Sequence, residues 1–224
     1  MRDVGKGPWA IVPAKGFARA KTRLAPLLQP HERAELASAM LRDVLGVLAH
    51  SPVLGGILLV SGDADVARMA ADYGVATLME PAEAGTNAAV QRGLDHLKMV
   101  GAERCVVVQA DIPFLASHEL AAVLGALERN SLALVPASRD GGTNMLALAR
   151  PDLIAPNFGH DSFARHLRAA AALGITAEVL QLTGASHDID VPTDLSFDPQ
   201  NGTGRHTQAL LQRLPHARPL HGAN

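Results

Sequence analysis

A chain of 224 residues with 48% hydrophobic content can bury one sizeable core, so wholesale disorder is excluded and one domain, with or without an appendage, is expected. A formal net charge of −2 argues against nucleic acid as a general partner, because no domain-wide positive field is available. The single cysteine, Cys105, excludes an intrachain disulfide and suits a reducing cytoplasm, and it opens an apolar run as a core filler. Residues 1–8 hold no apolar stretch resembling a signal peptide, and no run approaches the ~18 apolar residues of a membrane span. A soluble, cytoplasmic protein without membrane contact is the expectation.

The first apolar run, Trp9 to Val12, is long enough for a buried strand, and Pro13, which has no N–H, is expected to break it. Behind it lies a loop with Lys15, Arg19, Lys21 and Arg23, a local concentration of cations suited to a small anionic ligand. In an open α/β sheet, the carboxyl end of the first strand is where a ligand binds. Pro30 to His50 reads as a long helix, with Ala37, Met40, Leu41, Val44, Leu45 and Leu48 at three- and four-residue spacing and charged residues opposite. Gly56 to Ser61 is a second strand. Asp63 can cap the helix after it, Gly74 can end that helix, and Val75 to Met79 is a third strand. A helix from about Thr86 to Val100 leads to Arg104-Cys-Val-Val-Val-Gln-Ala-Asp111, a run apolar enough for a central strand covered on both faces.

Ser117 can cap a helix that runs to about Glu128, and Leu132 to Pro136 is a further strand, followed by the turn 139–142. Thr143 to Ala149 alternates only in part and reads as an antiparallel or edge strand. Phe158 to Phe163 leads into a helix ending near Gly174, and Thr176 to Leu182 reads as a last strand. Strands alternating with helices of ten or more residues predict an α/β fold with a mixed, mainly parallel sheet flanked by helices. The chain divides into a domain of residues 1–197 and a tail of 198–224. That tail is rich in Pro, Gly, His, Gln and Asn, and is expected to be loosely ordered apart from a short helical turn over Ala209 to Leu214.

Three carboxylates fall at element ends on one side of such a sheet: Asp111, Asp188 and Asp190. Asp111 ends an apolar strand, where an uncompensated charge is costly, and the next helix starts too far on for Asp111 to cap it. Asp188 and Asp190 alternate along an extended segment and so point the same way, which calls for a cation between them or marks a solvated Asp-x-Asp turn. Mg²⁺ is the apt ion, taking hard oxygen ligands and sharing them with phosphates. Gly141-Gly-Thr-Asn144 and Gly159-His-Asp-Ser162 are glycine-led polar loops that suit anion contact or simple turn duty, and Asn87 could meet a nucleotide base or cap its helix. The ten histidines form no metal signature, and there is no Walker loop or Gly-x-Gly-x-x-Gly.

Taken together, these motifs resemble a known family. Val12-Pro-Ala-Lys-Gly-Phe-Ala-Arg-Ala-Lys-Thr-Arg-Leu-Ala-Pro26 is similar to the opening signature of the 2-phospholactate, phosphoenolpyruvate or 3-phosphoglycerate guanylyltransferases of deazaflavin coenzyme biosynthesis. The likeness continues through 39–45, Thr86-Asn-Ala-Ala-Val90, Ala110-Asp-Ile-Pro113, Gly142-Thr-Asn144, 158–167 and Asp188-Ile-Asp-Val-Pro-Thr-Asp-Leu195, in that order. Gln109 and Gly16 depart from it, each standing where the family commonly has proline. The resemblance implies a nucleotide-diphospho-sugar transferase (GT-A-like) fold, GTP and a small phosphorylated acid as substrates, and Mg²⁺ held by Asp111, Asp188 and Asp190. It implies that Thr143, Gly159 and Ser162 contact the acid. Lys15, Arg19, Lys21 and Arg23, with Asn87, would bind the nucleotide, and Lys15, Lys21 and Arg23 would act in catalysis. A molybdenum-cofactor guanylyltransferase, an NDP-sugar glycosyltransferase and a non-catalytic nucleotide-binding protein are the competing readings. Oligomeric state is open, a homodimer being unsurprising.

Overall fold

The computed structural model describes residues 7–81, 84–199 and 202–214. Most of the N-terminal segment 1–8 and the tail residues 215–224, with His216 and His221, lie outside them. In chain order the elements are β1 (Trp9–Pro13), α1 (Pro30–Ala49), β2 (Gly56–Ser61), α2 (Ala64–Asp72), β3 (Ala76–Met79), α3 (Thr86–Met99), β4 (Cys105–Val108) and α4 (Ser117–Ala126). They continue with β5 (Leu132–Pro136), β6 (Thr143–Leu148), α5 (Ser162–Ala172), β7 (Glu178–Val179) and α6 (Arg205–Arg213). The strands form one sheet in the order β3-β2-β1-β4-β6-β5-β7, parallel except for β6, which runs antiparallel to both its neighbours.

Period-two alternation divides the central strands between two cores. Ala10, Val12, Val106 and Val108 face one side, where Leu41, Val44 and Leu45 of α1 and Leu120 and Val123 of α4 cover them. Ile11, Cys105 and Val107 face the other, under Val90, Leu94 and Leu97 of α3 and Ala170 of α5. Both faces of the sheet are thus covered, which is why β1 and β4 consist of near-continuous apolar residues. Cys105 is buried as expected, and its burial pushes the thiol up to about 12, so it stays protonated.

Three expectations need correction and one, that for β6, is narrowed. Pro13 is the last residue of β1 rather than a break before it. It pairs with Val60 of β2 beyond the point where β4 has left β1, so no ladder donor is missing. For β6 the antiparallel alternative holds and the edge alternative does not: the strand is buried between β4 and β5, and its polar residues Thr143 and Asn144 are satisfied inside the protein. Strand β7 is only two residues long; one further bond, Leu180 N–H to the Leu134 carbonyl, precedes its departure from the sheet. The segment expected to be loose contains α6, a regular helix docked on α1. Leu210 joins Leu36, Met40 and Leu24 in a satellite core, and the Asp43 carboxylate of α1 accepts the His206 and Thr207 N–H groups at 2.9 Å each. Asp43 thereby satisfies first-turn donors that have no partner within α6 itself.

Candidate active site

The carboxyl ends of β1 and β4 open on a cavity of about 330 Å³, whose lining includes Lys15, Arg19, Lys21 and Arg23 together with Gln109, Asp111 and Asp190. The basic loop is ordered by two short 3₁₀ turns, Phe17–Arg19 and Thr22–Leu24, and is pinned by the buried Leu24. Between the turns, Lys21 adopts the left-handed conformation (φ 53°), which is uncommon for a residue with a Cβ. That conformation turns its side chain inward: Nζ lies 2.6 Å from Asp111 Oδ2 and 2.8 Å from Asp190 Oδ1. Burial alone would lower the Lys21 ammonium, but the facing charges of Asp111 and Asp190 outweigh it and hold it above its ordinary value. Burial likewise acts to raise Asp190, and Lys21, with help from Arg23 and Arg139, overcomes it and holds the carboxyl below its ordinary value.

The segment bearing Asp188 and Asp190 is fixed at several points. Ile189 N–H donates to the Asp111 carbonyl at 3.1 Å, so the two carboxylate-bearing segments run side by side. Asn144 Nδ2 donates to the Ala185 carbonyl and to Asp188 Oδ1. Asp194 Oδ2 accepts the Asp190 and Val191 N–H groups at 2.8 Å each, while its other oxygen faces Arg139 Nε at 3.3 Å. The buried Glu119 accepts the Gly184 and Ala185 N–H groups. Only glycine fits at 184, since a Cβ there would stand 2.0 Å from the Phe114 carbonyl oxygen. Asp188 is raised to about 6, first by burial and then by the neighbouring Asp111 charge, against the lowering effect of the Asn144 hydrogen bond.

Beside this cluster lies a buried hydroxyl–imidazole network. The Asn157 N–H donates to His166 Nε2, which leaves the ring proton on Nδ1, 3.0 Å from Thr143 Oγ1. Ser162 Oγ donates to the same Thr143 oxygen at 3.2 Å. Burial, and then the Arg165 charge, lowers His166 to about 4, consistent with a neutral ring. Gly159, at φ 116°, accepts the Ser162 N–H. Ser162 thus bonds both Thr143 and Gly159, and Asn144, next to Thr143 in sequence, bonds Asp188.

Not every candidate falls in the same place. Asn87 joins α3 to the loop before Gly159: Nδ2 donates to the Phe158 carbonyl at 3.1 Å and Oδ1 accepts the Phe158 N–H at 2.6 Å, and Asn87 lines neither of the two cavities at this end. Among the described residues, no three His, Cys, Asp or Glu side chains stand close enough to form a ready-made metal cage. Instead, a cation, the Lys21 ammonium, already lies between two of the three aspartates. Sequence reasoning gave no role to His166, Asp194, Arg139 or Glu119. The first had a readable signal, one helical turn after Ser162; the others act through contacts distant in sequence.

Residues 9–220 match the family model described as "Guanylyl transferase CofC like". The chain is 38% identical over 186 residues to a phosphoenolpyruvate guanylyltransferase from Sphaerobacter thermophilus, covering 83% of this chain and 89% of that protein. It is 34% identical to a 2-phospho-L-lactate guanylyltransferase from Methanothermobacter thermautotrophicus (92% and 90% covered). It is also 34% identical to a 3-phospho-D-glycerate guanylyltransferase from Phenylobacterium zucineum (92% and 95% covered). Its fold superposes with a TM-score of 0.78, at 18% identity and over 95% and 96% of the two chains, on a crystal structure described as a nucleotide-diphospho-sugar transferase from Desulfovibrio desulfuricans. The chain belongs to the CofC-like guanylyl transferase family.

Proposed function

We propose that this protein transfers GMP from GTP to a small phosphorylated carboxylic acid, namely phosphoenolpyruvate, 2-phospholactate or 3-phosphoglycerate, within deazaflavin coenzyme biosynthesis in the cytoplasm. The observation that carries the reading is the meeting of a basic loop with Asp111 and Asp190 at the carboxyl ends of β1 and β4, with Asp188 close enough to feel both of their charges. A cavity lined by four cations together with two carboxylates suits a triphosphate far better than a neutral substrate. The relatives named above cover most of the chain and share the guanylyltransferase name, which favours this reading over the other GT-A-like alternatives. The described residues include no helix long and apolar enough to cross a membrane.

In the proposed reaction an oxygen of the acceptor phosphate attacks the α-phosphorus of GTP. A new P–O–P bond forms, the bond between the α-phosphorus and its bridging oxygen breaks, and pyrophosphate leaves with the bonding pair. A phosphate monoester, with a second pKa of about 6, is mostly dianionic at neutral pH, so no general base is required. The barrier is anion repulsion, and the protein's task is to clamp and neutralise. Lys15, Lys21 and Arg23, with Arg19, would hold the triphosphate and offset the charge growing on pyrophosphate. Thr143 already accepts hydrogen bonds from His166 and Ser162, which leaves its own proton to offer an acceptor oxygen. The all-oxygen donor set of Asp111, Asp188 and Asp190 fits Mg²⁺, with phosphate oxygens completing the shell. When bound, that ion would supply Lewis-acid charge neutralisation.

Pyrophosphate release from GTP in the presence of each acid separately, with mass spectrometry of the product, tests the proposal. Turnover with one of the three acids is expected; GTP binding without release for any of them would move the protein to another acceptor or to a binding role.

A further inference from the structure

The Asn157 main-chain N–H can only donate, so His166 Nε2 accepts it at 3.0 Å and the one proton of the neutral ring stands on Nδ1, facing Thr143 Oγ1 at 3.0 Å. The ring is fully buried, and Phe158 packs edge-on against it with centroids 5.0 Å apart. Asn87 holds both main-chain groups of Phe158, and Arg165 Nη2 donates to the Asn157 and Phe158 carbonyls at 3.2 and 3.3 Å. The loop that fixes the tautomer is therefore itself fixed, and Thr143 meets a donor on that side, never an acceptor.

Thr143 and Ser162 hold two hydroxyl protons, and the 3.2 Å bond between them uses one. The ring cannot accept the other, and neither hydroxyl makes a further hydrogen bond among the described residues. Both residues are buried, so the pair keeps one buried O–H without a protein acceptor. A network that served packing alone would do better with valine, which has the shape of threonine and no unmade bond. Asn144, the next residue of β6, donates to Asp188 Oδ1 at 3.3 Å, which puts the spare proton one strand residue from an anchor of the carboxylate cluster.

We infer that His166 is a positioning residue for the phosphorylated acid, acting through Thr143 and Ser162, a role that rests on the nucleotidyl-transfer reading above. By donating to Thr143 it occupies a lone pair there and leaves the hydroxyl pair as a net donor, suited to an anionic oxygen of the acid. With the opposite tautomer, Thr143 would turn its proton to the ring and offer the anion lone pairs, which repel it.

Two substitutions separate the ring nitrogens. In His166→Asn the amide nitrogen stands in for Nδ1 and can donate to Thr143, while nothing reaches the Asn157 N–H. In His166→Gln the amide oxygen stands in for Nε2 and can accept the Asn157 N–H, while nothing donates to Thr143. Steady-state kinetics use phosphoenolpyruvate, 2-phospholactate and 3-phosphoglycerate in turn, calorimetry gives the Kd for GTP without acid, and thermal melting checks folding. In His166→Gln the KM for the acid is expected to rise about 10-fold or more, with kcat and the Kd for GTP within about threefold of wild type. His166→Asn is expected to restore KM to within about threefold of wild type, which a merely structural role would not do. Thr143→Val gives a second reading should His166→Gln not fold: it keeps the shape, loses the hydroxyl, and is expected to raise KM for the acid while GTP affinity holds. A folded His166→Gln or Thr143→Val with wild-type KM, a His166→Asn as impaired as His166→Gln, or an equal loss of GTP affinity overturns the assignment and leaves the transferase reading standing. Wild-type protein that turns over none of the three acids overturns that reading and this assignment with it.

Discussion

The Lys21 ammonium lies 2.6 Å from Asp111 Oδ2 and so joins the basic loop to the end of the central strand, 90 residues away in sequence. The same nitrogen reaches Asp190 at 2.8 Å, which makes Lys21 the internal counter-ion of two carboxylates. Its replacement by Met removes the cation between those carboxylates, leaving only Arg23, 3.7 Å from Asp190. Because both are about 30% exposed, solvent screens part of the cost, and a loss of about 1–2 kcal/mol in metal-free buffer is expected. Added Mg²⁺ should stabilise Lys21→Met more than it stabilises wild type. Urea denaturation with and without the ion reads both effects, and a variant as stable as wild type and equally insensitive to Mg²⁺ would contradict the counter-ion role.

Asp194 does not line the cavity, yet it holds the Asp190 and Val191 amides and pairs with Arg139. It is a positioning residue. Asp194→Ala removes the acceptor of two N–H groups, a loss of about 2 kcal/mol in stability. Asp194→Asn keeps one acceptor oxygen and should fold, with kcat reduced about tenfold and the dissociation constant for GTP little changed. An Asp194→Asn enzyme with normal kcat would show that the carboxylate charge is not needed to place Asp190.

His166 is buried, and its folded value of about 4 lies below the ordinary 6.5. Between those values the unfolded chain binds a proton that the folded chain refuses. The contribution is therefore complete above about pH 6.5 and lost as pH falls toward 4, amounting at most to about 3 kcal/mol. Subtracting the pH–stability curve of His166→Gln from that of wild type isolates this slope. Parallel curves between pH 4 and 6.5 would mean that His166 protonates in place and that its hydrogen bonds to Asn157 and Thr143 are assigned wrongly.

Asp43 acts as a capping residue supplied by one helix to another, receiving the His206 and Thr207 amides at the start of α6. Asp43→Ala should cost about 1–2 kcal/mol and raise hydrogen exchange in 205–213 first. Unchanged exchange there would place the docking energy in Leu210 and its apolar neighbours alone.

Order and type of most elements were legible because the relevant signals are local. Cys105–Val108 is wholly apolar and reads as a strand covered on both faces, and Asp63 is a readable cap, confirmed by its hydrogen bonds to the Asp65 and Val66 amides. Strand β6 was legible only as antiparallel or edge, because Thr143 and Asn144 look like surface residues. They are buried polar groups whose partners, His166, Ser162, Ala185 and Asp188, arrive from later in the chain. Helix α6 was hidden for the same reason: its sequence is polar, and Thr207 bonds to Asp43 across 164 positions. In the site, the charged residues stood out individually, whereas the hold of Lys21 on two aspartates depends on a left-handed backbone that no pattern announces.

The central claim is that an acceptor phosphate oxygen attacks the α-phosphorus of GTP. Its most direct test supplies the acid that supports turnover with ¹⁸O in every non-bridging phosphate position, and follows the label by mass spectrometry. The mechanism predicts that all label stays in the guanylylated product, one atom as the new bridge, and that pyrophosphate is unlabelled. Label in pyrophosphate, or a product carrying the γ-phosphate in place of GMP, would contradict it.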